Sequence, residues 1–140
     1  MIVLDTNVIS EADKPNPNAA LTQWFGRQQQ QELFLCGPVV MELAYGAERY
    51  LVRSGSDRYL TTLAGLQELF RGRILDFDGR SPALTGRIRA LREASGHVIS
   101  VQDAMIAAIC IVHGATLATR NVRDFDGLDL GLVNPFEAMA

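Results

Sequence analysis

Three carboxylates in this chain each stand at the start of an otherwise apolar element: Asp5 after Met1-Ile2-Val3-Leu4, Glu42 after Val39-Val40-Met41, and Asp103 ahead of Ala104 to Val112. A carboxylate among apolar neighbours must be hydrogen-bonded, paired or bound to a metal. If the three converge they repel one another, which raises at least one pKa unless a divalent cation occupies the gap. Oxygen-only donors of this kind suit Mg²⁺ or Mn²⁺ rather than zinc, and His97 and His113 offer no zinc-like spacing. Neither histidine accompanies a serine or cysteine motif, so no nucleophilic triad is assigned. Each carboxylate also has a structural reading when taken singly. Asp103 is the third residue after Ser100 in a capping-box pattern, Glu42 could be a surface position on an amphipathic helix, and Asp5-Thr6-Asn7 could be a turn in which Asn7 caps the next helix. The chemical reading therefore rests on the set.

The elements that must position these residues alternate between strand and helix. Met1 to Leu4 reads as a strand covered on both faces, which puts Asp5 at its carboxyl end, where open α/β sheets bind ligands. Val8 to Asp13 follows as a short helix ended by Lys14-Pro15-Asn16-Pro17, and Asn18 caps a helix over Ala19 to Arg27. Leu33 to Cys36 is the second strand. Pro38 opens a helix through Ala47, with Gly46 a weak point, and Ser54-Gly55-Ser56 breaks it from a second helix over Asp57 to Phe70. Its stripe is Tyr59, Leu60, Leu63, Leu66, Leu69 and Phe70. Ile74 to Phe77 is a third strand, Asp78 to Pro82 a turn, and Ala83 to Ala94 an amphipathic helix. On it Arg87, Arg89 and Arg92 read as a solvated surface. Ser100 starts a helix reaching His113-Gly114, Thr116 to Thr119 is the fourth strand, and Leu130 to Val133 a possible fifth. The pattern predicts one α/β domain over residues 1–140, with a mostly parallel sheet of four to five short strands and helices on both faces.

Bulk properties narrow the function. With 13 basic against 16 acidic residues and a formal charge of −3, the chain is no general coat for nucleic acid. Lys14 is the single lysine and the remaining basic residues are arginines, suited to bidentate contact with carboxylate or phosphate. Cys36 and Cys110 form no C-x-x-C pair and lie in apolar segments, as expected of a reduced, cytoplasmic protein. Asp5 interrupts the amino-terminal apolar run too early for a secretory signal, and no run reaches the ~20 apolar residues of a membrane span.

Four motifs in order then carry a resemblance: Ile-Val-Leu-Asp-Thr-Asn-Val-Ile-Ser at the start, Val-Val-Met-Glu-Leu-x-x-Gly, Ser-Val-Gln-Asp-Ala-Met-Ile-Ala-Ala, and Leu-Ala-Thr-Arg-Asn-Val-x-Asp-Phe. The chain resembles a PIN domain, and within that family the VapC-type toxin ribonucleases of toxin–antitoxin pairs, from Met1 to Pro135-Phe136. The resemblance implies a three-layer PIN-like fold and a Mg²⁺- or Mn²⁺-dependent endoribonuclease using one or two ions. Carried over by position, Asp5, Glu42 and Asp103 are the catalytic and metal-site acids. The fourth acidic position of many members falls on Asn121, whose neutral amide would hold a second cation less strongly, and Asp124 lies near enough in sequence to compensate or to serve as a loop cap. In this reading the metal polarises the scissile phosphodiester while Glu42 orients or deprotonates water. Thr6, Asn7 and Thr119 position ligands or water; Arg120 and Arg123 are candidate phosphate contacts or surface ion pairs. An RNA substrate, a small antitoxin whose tail enters the acidic groove, and a homodimer are also implied. Two other readings stand beside it: a PIN-like interaction module with weak or no catalysis, and an aspartyl-phosphate phosphatase, which has Asn7 where that class carries its second aspartate.

Overall fold

The computed structural model describes residues 1–138. Among them five short strands form one parallel sheet in the order β3-β2-β1-β4-β5: β1 (Ile2–Leu4), β2 (Leu33–Cys36), β3 (Ile74–Leu75), β4 (Thr116–Ala118) and β5 (Gly131–Val133). β1 lies at the centre, with Ile2 opposite both Leu33 and Thr116, and Leu4 opposite Ala118. Successive side chains on a strand point to opposite faces, so a strand buried on both sides feeds two cores. Val3, Cys36 and Leu117 join one core with Ala104 and Ile106 to Cys110. Leu4, Leu33, Leu35 and Ala118 join the other with Val8, Leu21, Trp24 and Phe70. This is the expected three-layer α/β arrangement, with a helix after nearly every strand.

The helices are α1 (Thr6–Ala12), α2 (Ala19–Gly26), α3 (Gly37–Ser54), α4 (Arg58–Leu69), α5 (Ser81–Ala94) and α6 (Val101–His113). Asn18 caps α2 through a bond from the Leu21 N–H, and Ser100 caps α6 through one from the Asp103 N–H. α3 does not weaken at Gly46 but runs 18 residues to a left-handed Gly55, φ 75°. A glycine costs only ~1 kcal/mol in a helix interior, and packing against α4 outweighs that. α4 buries Leu63 and leaves Leu69, part of the expected apolar stripe, 54% exposed. α5 starts at Ser81, with Pro82 inside its first turn where a proline lacks no needed donor. β3 is only two residues long, shorter than the strand expected over Ile74 to Phe77, and lies at the sheet edge with β2 as its single neighbour. A 3-10 turn at Gln30–Glu32, absent from the sequence reading, leads into β2. Among the described residues no helix is long and apolar enough to cross a membrane.

Ile106 is fully buried on α6 between sheet and helices, whereas Val52 on α3 is 87% exposed. Ile106→Ala is expected to lower unfolding free energy by about 2–5 kcal/mol and Val52→Ala by less than ~0.5 kcal/mol in urea titrations. Equal effects would mean that the core is not where the packing places it.

Candidate active site

The strand order reverses between β1 and β4, and their carboxyl ends, Asp5 and Thr119, open the crevice where parallel α/β sheets place ligands. The Asp5 N–H donates to the Ala118 carbonyl at 2.9 Å, extending the ladder one residue beyond β1. Its side chain, with Asp5 only 5% exposed, then caps α1 by accepting the Thr6 N–H at 2.8 Å. The cap is therefore Asp5 and not Asn7, and α1 begins two residues earlier than the sequence suggests. Asn7 is freed for other contacts: its amide reaches Asp5 and the Thr119 hydroxyl, each at 3.4 Å, and its oxygen accepts the Arg120 N–H at 3.1 Å. Thr119, fully buried, donates to Asp5 at 2.8 Å and accepts the Asn121 N–H at 3.0 Å. These bonds lock the two strand ends together.

Glu42 arrives from the second turn of α3 and Asp103 from the first turn of α6, and both face the same cleft as Asp5. The cleft has a volume of about 470 Å³ and is lined by Asp5, Thr6, Asn7, Glu42, Ser100, Gln102, Asp103 and Asn121. No lysine, arginine or histidine is among those residues, so the carboxylates face one another without a protein counter-charge. Burial pushes Asp103 up to about 6, with Asp5 the next cause and Asp124 and Glu42 adding, against the opposing Ser100 hydroxyl. Asp5 is also raised, by burial and then by Glu42, although bonds from Thr119, Thr6 and Asn7 pull the other way. Asp124 thus acts on the site through its charge, but it does not line the cleft.

The donor set fits a hard divalent cation. It is all oxygen, carries surplus negative charge and has two acids whose ionised forms are destabilised without one. Among the described residues no three Asp, Glu, His or Cys side chains form a ready cage for a metal. Mg²⁺ does not need one, since it keeps several waters and takes one or two carboxylates together with phosphate oxygens. Glu42 Oε2 accepts bonds from the Thr6 hydroxyl and the Gln102 amide, which leaves Oε1 open beside the oxygens of Asp5 and Asp103.

Two of the expected phosphate contacts lie elsewhere. The Arg120 guanidinium sits 4.0 Å over the Phe136 ring and donates to Glu11 at 3.4 Å, because Glu11, buried on α1 and also bonded to Lys14, attracts it away from the cleft. Arg123 is exposed on the 3-10 turn Val122–Phe125, outside the cleft lining. Arg92 is more than a solvated surface residue. It is half-buried and donates to the carbonyls of His97, Asp124 and Asp126, bracing the segments that carry Ser100 and Asn121. Gln102 is a site residue missed in the sequence although it lies in the Ser-Val-Gln-Asp motif, because its partner Glu42 is 60 positions away.

The raised Asp103 carboxyl has a thermodynamic consequence. A folded-state pKa near 6 against an ordinary 3.8 means that the metal-free fold binds this proton more tightly than the unfolded chain does. That stabilisation is full below the ordinary pKa and is lost as pH rises through about 6. In a chelator at pH 7.5, Asp103→Asn is expected to raise stability by about 1 kcal/mol, discounted for partial exposure. The gain should vanish at pH 4; equal melting temperatures at both pH values would contradict the shift.

Comparison with known proteins places this geometry. The model of the PIN domain matches residues 2–129. VapC ribonuclease Y4jK of Sinorhizobium fredii is 35% identical over 138 residues, 98% of this chain and 99% of that protein. Toxin FitB of Neisseria gonorrhoeae is 34% identical over 137 residues, 97% of this chain and 99% of the relative. A solved structure of FitAB bound to an IR36 DNA fragment aligns with a TM-score of 0.88 at 31% identity, covering 100% of this chain and 99% of that one. With a family match over residues 2–129 and relatives at 34–35% identity along nearly their whole length, the chain belongs to the PIN domain family.

Proposed function

We propose that this chain is a divalent-metal-dependent endoribonuclease and the toxin of a toxin–antitoxin pair. The observation that carries the proposal is the convergence of Asp5, Glu42 and Asp103, with Asn121, on one cleft that holds no basic side chain. The names of the relatives, a VapC ribonuclease and a toxin, support the same activity. Asp5 and Asp103 would hold the cation. When bound, it would supply Lewis acidity toward the phosphodiester and lower the pKa of water. Asp5, fixed by three donors, sets the position of the site, and Glu42 orients the attacking water and accepts its proton. Thr6 holds Glu42, while Thr119 and Asn7 hold Asp5. Asn121 at the rim offers a neutral oxygen, which favours one tightly held ion over two.

The antitoxin has a natural seat. An apolar groove of about 590 Å³ between α1, α3 and α4, lined in part by Ile9, Leu43, Ala47, Leu63 and Leu66, joins the acidic cleft at Thr6 and Glu42, which line both. A partner segment with apolar side chains and a cationic end would fill the groove and neutralise the cleft together, silencing the enzyme. The FitAB complex is bound to DNA. For this acidic chain, DNA contact would come through the partner, and the pair would work in the cytoplasm as a dimer of toxins.

The asparagine at position 121 favours one second reading, a PIN-like module that binds a partner without cleaving RNA. Incubation of purified protein with cellular RNAs in Mg²⁺ or Mn²⁺, with mapping of the cut ends, separates the two. Cleavage should be abolished by chelation and slowed on the order of 100-fold or more by Asp5→Asn. Asp5→Asn cutting as fast as wild type would sink the nuclease reading, and metal binding without cleavage would favour the module. A phospho-enzyme trapped at Asp5 would instead favour the phosphatase. Expression alone should arrest growth, and co-expression of the partner should restore it.

A further inference from the structure

We infer that Gln102 is a positioning residue which, with Thr6, reserves Glu42 for the attacking water and keeps it off the cation; the inference rests on the ribonuclease reading. Both donors, the Thr6 hydroxyl and the Gln102 amide, fall on the same oxygen of Glu42, Oε2. Among the described residues Oε1 accepts no hydrogen bond. Two donors on one oxygen fix the carboxylate plane and fill both lone pairs of that atom, so Oε2 has none left for a cation. The other oxygen stays available to accept a proton.

The three anchoring residues also come from separate elements: Thr6 from α1, Glu42 from α3 and Gln102 from α6. The Glu42 carboxylate is thus held against rotation from two sides. Oδ2 of Asp5 likewise takes two donors, but Oδ1 takes only one and keeps a lone pair for the cation. Gln102 is suited to the task because its amide donates without adding charge to the cleft, whereas a lysine or arginine there would compete with the cation for Asp5 and Asp103.

The test compares Gln102→Met, which removes the donor at similar volume, with wild type, Glu42→Gln and the double variant; Gln102→Ala serves if the methionine form does not fold. RNA cleavage and Mn²⁺ binding by electron paramagnetic resonance are both read. Gln102→Met should lower kcat about tenfold with KM unchanged. It should also tighten Mn²⁺ binding, because the released Glu42 can reach the ion, and that gain should disappear in the Glu42→Gln background. The double variant should cleave no more slowly than Glu42→Gln alone, as residues acting through one another are not additive. Unchanged kcat, weakened or unchanged Mn²⁺ binding, or an additive double variant would each overturn the inference. If wild type cleaves no RNA, the ribonuclease reading fails, and the Mn²⁺ comparison alone still decides the role of Gln102.

Discussion

Asp5 is a carboxylate buried at the end of the central strand, and much of the site's construction satisfies it. An ionised carboxylate removed from water must recover its lost hydration from fixed donors. Here the donors are the first N–H of α1, the Thr119 hydroxyl at the end of β4 and the Asn7 amide. Each does a second job. The N–H starts a helix, the hydroxyl receives the Asn121 N–H, and Asn7 takes the N–H of Arg120. The requirement of one side chain thereby fixes the geometry of two strand ends, a helix start and the loop that carries Asn121.

The same arrangement leaves negative charge unbalanced. A cluster built only for stability would place an arginine among Asp5, Glu42 and Asp103, and the chain has twelve arginines to draw on. Two of them are used around the cleft instead. Arg120 is held by Glu11 and Phe136, and Arg92 braces three carbonyls behind the rim. Keeping cations out of the cleft costs stability in the metal-free protein, as the raised Asp103 carboxyl indicates. Strain of this kind concentrates at functional sites because the rest of the fold can absorb it.

Glu42 is held differently from the two aspartates. Asp5 and Asp103 are each anchored next to their own helix start, Asp5 as the cap of α1 and Asp103 beside the cap of α6. Glu42 lies in the body of α3 and depends on side chains from two other helices for its position. Its long side chain lines both the acidic cleft and the apolar groove.

The strands, the helix caps at Asn18 and Ser100, the helix break at Gly55 and the three acids were legible in the chain because they depend on local chemistry: apolar period, cap residues, a left-handed glycine. Four ordered motifs raised the acids from three lone residues to a set. Other features were not legible. Whether Asp5 or Asn7 caps α1, whether α3 continues past Gly46 and where the Arg120 guanidinium goes are each decided by partners distant in sequence. Gln102 is the clearest case, meeting Glu42 only because α3 and α6 pack beside the central strand. The sequence by itself determined which residues could be acidic ligands and which segments would carry them. The tertiary structure decided how each acid is held, because hydrogen-bond donors from separate elements, and not residue type, set the direction and availability of each carboxylate oxygen.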